Sequence, residues 1–120
     1  LADTDAFKGV GTQYIFFAIR EPKLFQLLFM SEQASAPNID KILPSIEENY
    51  ERILNSITES YGLDEKTAER LYRHLWIYSH GIAALCATKM CCFTGAEISE
   101  MITEVFISLL DKMKNQRLFD

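Results

Sequence analysis

Covalent staples are what this sequence has least of. Its 120 residues hold three cysteines, two of which, Cys91 and Cys92, are adjacent, so no internal disulfide framework can be drawn. That excludes the small secreted scaffolds and points to a reducing compartment, the cytoplasm. Helix breakers are scarce as well: three prolines and five glycines exclude collagen-like and low-complexity chains. Positive charge is in deficit, with 12 Lys and Arg against 17 Asp and Glu and a formal net charge of −5. Affinity for nucleic acid comes mostly from basic side chains that neutralise phosphates, so this chain alone should not bind DNA. The nearest approach to a basic cluster, Arg70 and Arg73, has Asp64, Glu65 and Glu69 as neighbours and reads as a solvated face. A long apolar run is missing too. Residues 74–88 carry no Lys, Arg, Asp or Glu but include His74, Ser79 and His80, and they fall short of the roughly twenty mostly apolar residues a membrane span needs. No signal peptide opens the chain, because Leu1-Ala2-Asp3-Thr4-Asp5 is acidic and has no apolar core. Without an initiating Met, further residues are expected upstream.

What is there is globular. With 48% hydrophobic and 24% charged residues, residues 1–120 make one domain that buries roughly two-thirds of its unfolded surface. Apolar residues recur with a period of about 3.6 through nearly the whole sequence, and strict alternation is never sustained, so the predicted fold class is all-α. Five helices are expected. The clearest stripe is Ile98, Met101, Ile102, Val105, Phe106, Leu109, Leu110 and Met113, and Thr94 three residues before Glu97 is a capping-box start for it. A second stripe, Ile39, Ile42, Leu43, Ile46, Tyr50, Ile53, Leu54 and Ile57, lies opposite Glu47, Glu48, Glu51 and Arg52. It predicts one helix over residues 38–61, ended by Gly62. Asp64 caps the next, which continues to about residue 90. Two shorter helices fill the N-terminal third: residues 5–20, then one opened by Pro22 in the first turn, where a missing N–H leaves nothing unpaired. Residues 31–38, rich in Ser, Ala, Gln and Pro, form the connection that follows.

Two of these helices carry surplus apolar surface. Over residues 74–88 the apolar residues wrap most of the cylinder, which a surface helix does not do. At about 100° per residue, Tyr72, Trp76, His80 and Ala83 share one face and Leu71, Leu75, Ile82 and Cys86 a second. Ile77, Gly81, Ala84 and Thr88 share a third, whose mostly small residues permit close approach by another helix. The last helix repeats the pattern, its stripe from Met101 through Val105 to Leu109 and Leu110 being wider than one neighbour requires. Close packing within the monomer and a symmetric four-helix contact between two copies both fit. The first helix is uncharged over residues 9–19 and aromatic, with Phe7, Tyr14, Phe16 and Phe17 followed by Phe25 and Phe29. Gly9 and Gly11 inside it, each unfavourable by about 1 kcal/mol in a helix, point to close packing or to space left for a bound molecule.

Reactive constellations are thin. Ser79 and His80 are adjacent on a helix and point about 100° apart, Glu47 and Glu48 lie on the exposed face, and no phosphate loop or nucleotide fingerprint is present. No enzyme activity and no cofactor are expected. His80, Cys86, Cys91 and Cys92 are soft ligands without a convergent spacing, so no metal is expected. Cys91 and Cys92 could sense oxidants if exposed as thiolates, although free cysteine is more often inert.

Residues 14–29, Tyr-Ile-Phe-Phe-Ala-Ile-Arg-Glu-Pro-Lys-Leu-Phe-Gln-Leu-Leu-Phe, resemble the Tyr-Ile…Phe-Ala…Pro-x-Leu-Phe-x-Leu-Met-Phe pattern that opens the C-terminal domain in a large branch of TetR-type (TetR/AcrR) transcription regulators. Residues 76–85, Trp-Ile-Tyr-Ser-His-Gly-Ile-Ala-Ala-Leu, resemble the Trp-x-x-x-His-Gly-x-Ala-x-Leu signature of the same branch. Glu21 stands where many relatives have His, and Leu28 where they have Met. The resemblance implies a ligand cavity walled by the first four helices and a dimer interface formed by the last two. It also implies a DNA-reading helix-turn-helix that lies outside this chain, whose spacing in the dimer a small molecule would control.

Candidate ligand-binding residues are therefore Tyr14, Phe17, Phe25, Phe29, Tyr50, Leu54, Trp76 and His80, with His80 either meeting a ligand or held in the core by a hydroxyl such as that of Tyr14 or Ser79. Candidate dimer residues are Ile77, Gly81, Ala84, Thr88, Met101, Val105 and Leu109. The partners expected are a second copy of the chain and a small hydrophobic or cationic effector, with DNA reached only through the further domain. A purely dimerising module with a packed core and a stand-alone carrier of hydrophobic molecules are the competing functions.

Overall fold

In the computed structural model the backbone is described for residues 2–32 and 34–119, and side chains for residues 9, 11–32, 34–39, 41–45 and 47–115. The side chains of Phe7 and Ile46 lie outside the described residues. Six helices follow in order: α1 (Ala2–Arg20), α2 (Pro22–Phe29), α3 (Ile39–Ile46), α4 (Tyr50–Tyr61), α5 (Glu65–Ala87) and α6 (Gly95–Phe119). The described residues form no strand, and no helix among them is long and apolar enough to cross a membrane.

Local chemistry sets the boundaries. Glu21, held out of the helical region at φ −128° by the ring of Pro22 behind it, separates α1 from α2. The Gln26 side chain of α2 then donates to the Ala87 carbonyl at 3.1 Å, satisfying an acceptor that the end of α5 leaves free. Gly62 closes α4 in the left-handed region at φ 65°, which costs a glycine no steric strain. Asp64 caps α5 by accepting from the Thr67 amide at 2.7 Å. At α6 the capping box is reciprocal: the Thr94 amide donates to Glu97 Oε1 at 2.8 Å and the Glu97 amide to Thr94 Oγ1 at 3.1 Å.

Two boundaries depart from the periodic pattern. The single helix expected over residues 38–61 is broken into α3 and α4, giving six helices where five were expected. Pro44, inside α3, removes one main-chain hydrogen bond, and Glu47 and Glu48 then bring two negative charges to a helix C-terminus, which disfavours anions. The chain turns, with the Asn49 amide donating to Glu47 Oε1 at 3.1 Å. The long helix also stops at Ala87 rather than near residue 90. The Lys89 amide donates to the Cys86 carbonyl and the Met90 amide to the Leu85 carbonyl, each at 3.1 Å, with Lys89 at φ 59°. This is a Schellman ending built on a lysine instead of a glycine, so the sequence carries no sign of it.

Buried apolar side chains gather in two clusters. One joins Leu54, Ile57, Leu71, Leu75, Phe106 and Leu110, among others, from α4, the first half of α5 and the second half of α6. The other joins Ile15, Ala18, Phe25, Ile82, Ala83, Ile98 and Ile102 from α1, α2, the second half of α5 and the first half of α6. Helices α5 and α6 both run through the two clusters, α5 giving Leu71, Leu75, Ile82 and Ala83 to them.

A left-handed lysine is strained by the clash of its Cβ with the following carbonyl. Lys89→Gly is expected to stabilise the fold by about 1 kcal/mol, read as a higher urea midpoint at unchanged slope. An unchanged or lower midpoint contradicts the strained ending.

Candidate ligand cavity

Where the two clusters meet they do not close on each other. A cavity of about 620 Å³ lies between them, within the roughly 300–1,000 Å³ of small-molecule sites. Helix α1 supplies Gly9, Gly11, Gln13, Tyr14 and Phe17 to its wall, and α2 supplies Leu28 and Phe29. Tyr72, Leu75, Trp76 and Ser79 come from α5, Ile102 from α6, and Glu47 and Asn49 from the turn between α3 and α4. The lining is mostly apolar and aromatic.

The two glycines of α1 serve different ends. A Cβ on Gly11 would meet Ser79 Oγ at 2.9 Å, so its absence is what lets α1 approach α5. A Cβ on Gly9 would meet nothing within 4 Å, and that space belongs to the cavity wall.

Of the candidates read from the sequence, Tyr14, Phe17, Phe29 and Trp76 stand on the wall. Phe25, Tyr50, Leu54 and His80 do not. Phe25 is fully buried one layer behind, its ring 5.3 Å from Tyr14 and 5.2 Å from Phe29. Tyr50 and Leu54 are core residues, and the Tyr50 ring packs edge-on against Tyr72 at 5.1 Å, leaving Tyr72 as the cavity surface. Sequence periodicity separates inward from outward faces but not the first inward layer from the second. Tyr72 shares a face with Trp76 and was legible on that ground. Glu47 was hidden by reading residues 38–61 as one straight helix, which put it on the solvent side; Pro44 was the signal.

His80 sits behind the wall. Its Nδ1 shares a hydrogen bond of 2.6 Å with the Tyr14 hydroxyl, and its ring stacks on Trp76 at 5.1 Å and 17°. Burial pushes the His80 pKa below the ordinary histidine value, so the neutral ring is favoured, with Tyr14 donating when the proton is on Nε2. Burial likewise pushes the Tyr14 phenol up, keeping that donor protonated. Tyr72 is raised by burial first and then by the nearby Glu47 carboxylate. The three thiols lie apart from the cavity at the end of α5. Cys91 and Cys92 are exposed, while burial and then the neighbouring Cys91 and Cys92 raise the Cys86 thiol, which disfavours its reactive thiolate form.

The small-residue stripe of α5 faces away from both cores. Ile77 is 50% exposed, Gly81 and Thr88 are exposed, and Ala84 is half-buried. On α6, Met101, Val105 and Leu109 are half-buried at the margin of the core.

A depressed histidine pKa stabilises the fold only above the unfolded value near 6.5. The unfolded chain binds the extra proton below it, so stability falls as pH drops from about 6.5 toward the folded value. Of the rings packed on His80, those of Tyr14, Phe25 and Trp76, only Tyr14 titrates, and it stays protonated. Relative to His80→Gln, which can still accept from Tyr14, the wild-type melting temperature is expected to hold a constant offset above about pH 7.5 and to lose ground from about pH 6.5 to 5. Parallel pH profiles would contradict the buried neutral ring.

With fold and cavity in hand, comparison with known proteins is informative in one case. No curated protein and no solved structure matches the chain. The family described as tetracyclin repressor-like, C-terminal domain, matches over residues 7–113, an interval that takes in all the helices except the ends of α1 and α6. It agrees with the regulator family that the Tyr-Ile-Phe-Phe-Ala and Trp-x-x-x-His-Gly segments resemble. The chain belongs to the tetracyclin repressor-like C-terminal domain family.

Proposed function

We propose that this domain senses a small molecule and forms a homodimer within a TetR-type transcription regulator of the cytoplasm, the DNA being read by a helix-turn-helix domain outside residues 1–120. The observation that carries the sensing half is the aromatic-walled cavity between the two cores. A purely dimerising module has no use for a void of that size, because unfilled space between apolar side chains weakens packing. Tyr14, Phe17, Phe29 and Trp76 are the residues proposed to touch the effector. Binding would act by favouring one arrangement of α1 and α2 against α5, and so one spacing of the DNA-reading domains in the dimer.

The dimer half is supported by the outer face of the last two helices. Ile77, Leu85 and Ile107 are large apolar residues at 50, 37 and 44% exposure, and Gly81 and Ala84 leave room for a facing helix to come close. Candidate interface residues are Ile77, Gly81, Ala84 and Thr88 of α5 with Met101, Val105 and Leu109 of α6.

Trp76 is the single tryptophan of the chain and lines the cavity, so its fluorescence reports occupancy. In a screen of small amphiphiles, an effector is expected to shift that emission and to raise the melting temperature together, since a ligand bound only by the folded state stabilises it. A broad screen in which no compound does both would contradict sensing.

Light scattering at micromolar concentration is expected to give twice the chain mass. A Cβ at Gly81 would meet nothing within 4 Å in the monomer and the residue is exposed, so Gly81→Arg should fold normally and run at the monomer mass. A folded variant that remains a dimer would remove α5 from the interface.

A further inference from the structure

The cavity's polar groups are few, and they are spaced. Among the described residues its wall holds one carboxylate, that of Glu47, and no Lys or Arg. Glu47 makes no ion pair among the described residues, and its carboxylate accepts a hydrogen bond from the Asn49 amide alone. It stands beside Tyr72, whose hydroxyl feels its charge. Seven residues further along α5, about 10 Å at the helical rise, Ser79 is 3% exposed. Its Oγ stands at the wall beside Gly11 with no hydrogen-bond partner among the described residues. The Ser79 Oγ is not one of the sealed, unpartnered polar atoms of the interior, so it is a hydroxyl that a molecule in the cavity can reach, and a half-buried carboxylate without a cation leaves local potential uncompensated. Between the two lie Leu75 and the Trp76 ring.

Resting on the sensing role proposed above, we infer that the effector is an elongated lipophilic cation. Its ammonium-type head lies beside Glu47 and Tyr72, its apolar or aromatic body along Leu75 and Trp76, and a hydrogen-bonding group at its far end meets Ser79. Three features select this class. The carboxylate attracts a cation and repels an anion across a wall whose described residues offer no opposing positive charge. Aromatic faces hold an organic cation through their negative quadrupole. A low-dielectric body between two polar ends rewards a molecule whose polarity is divided in the same way.

The test is titration of the intact protein, followed by Trp76 emission and calorimetry, with three probes of matched shape: phenylhexyltrimethylammonium, phenylhexanol and phenylhexanoate. The cation is expected to bind about tenfold more tightly than the alcohol, and the carboxylate more weakly than either. Glu47→Gln, whose amide oxygen can still accept from the Asn49 amide, is expected to bring the cation and the alcohol to within about twofold of each other. A para-hydroxyl on the phenyl ring of the cation should strengthen binding to the wild type, and Ser79→Ala should erase that gain. Binding of the alcohol with no preference for the cation, or a preference that survives Glu47→Gln, overturns the cationic class while leaving the sensing role intact. Failure of all three probes also overturns it, and the sensing role then stands or falls on the broad screen.

Discussion

Helix α1 is held against α5 at two points one turn apart, and the cavity exists because of how they differ. At Gly11 the backbone comes so close to Ser79 that a methyl group would stand 2.9 Å from its hydroxyl. At Tyr14 a long side chain reaches over and closes on His80 with a 2.6 Å hydrogen bond. Contact at one point and a propped ring at the other leave the space between α1 and α5 framed but unfilled. Burial keeps both partners of the prop neutral, so it requires no compensating charge in the core. The ring of Phe25 wedges behind Tyr14, and the amide of Gln26 fastens α2 to the end of α5. The α1–α2 pair is thereby fixed to the long helix at Ser79, His80 and Ala87.

Helix α5 divides its circumference between three tasks. Leu71, Leu75, Ile82 and Ala83 are buried in the cores, Trp76 with Tyr72 lines the cavity, and the Ile77–Gly81–Ala84 stripe lies open on the opposite side. A helix used in this way has no face left for Lys or Glu, and residues 74–88 carry none. The same arrangement puts the cavity and the proposed interface on different faces of one helix. A molecule that pushes α1 from the Gly11–Ser79 contact, or breaks the Tyr14–His80 prop, changes how the N-terminal helices sit on the element the partner would hold. That is a differential contact between two arrangements, which a ligand-driven shift requires.

Much of this was legible in the residues themselves. The helical period gave the all-α class, Thr94 and Glu97 gave the start of α6, and the missing charge singled out the long helix. The glycines of α1 pointed to close packing or to space, and they divide: a Cβ would crowd Ser79 at Gly11 and meet nothing within 4 Å at Gly9. What the pattern hid was physical in each case. Lys89 adopts a conformation that glycine usually marks, so the end of α5 had no sign. Periodicity tells inside from outside but cannot rank layers, so Phe25, Tyr50, Leu54 and His80 were grouped with the wall although they stand behind it. Pro44 lies within a strong apolar stripe that conceals the turn bringing Glu47 to the cavity.

The most direct test of the account is a crystal structure of the protein as purified. It should show a two-fold axis beside Gly81 with the small-residue stripes of two α5 helices facing each other. In each copy it should show an open or occupied cavity between Tyr14, Tyr72 and Trp76, with the Tyr14–His80 hydrogen bond framing its edge. Side chains collapsed into a filled core, or an α5 stripe left in solvent with no partner, would contradict it.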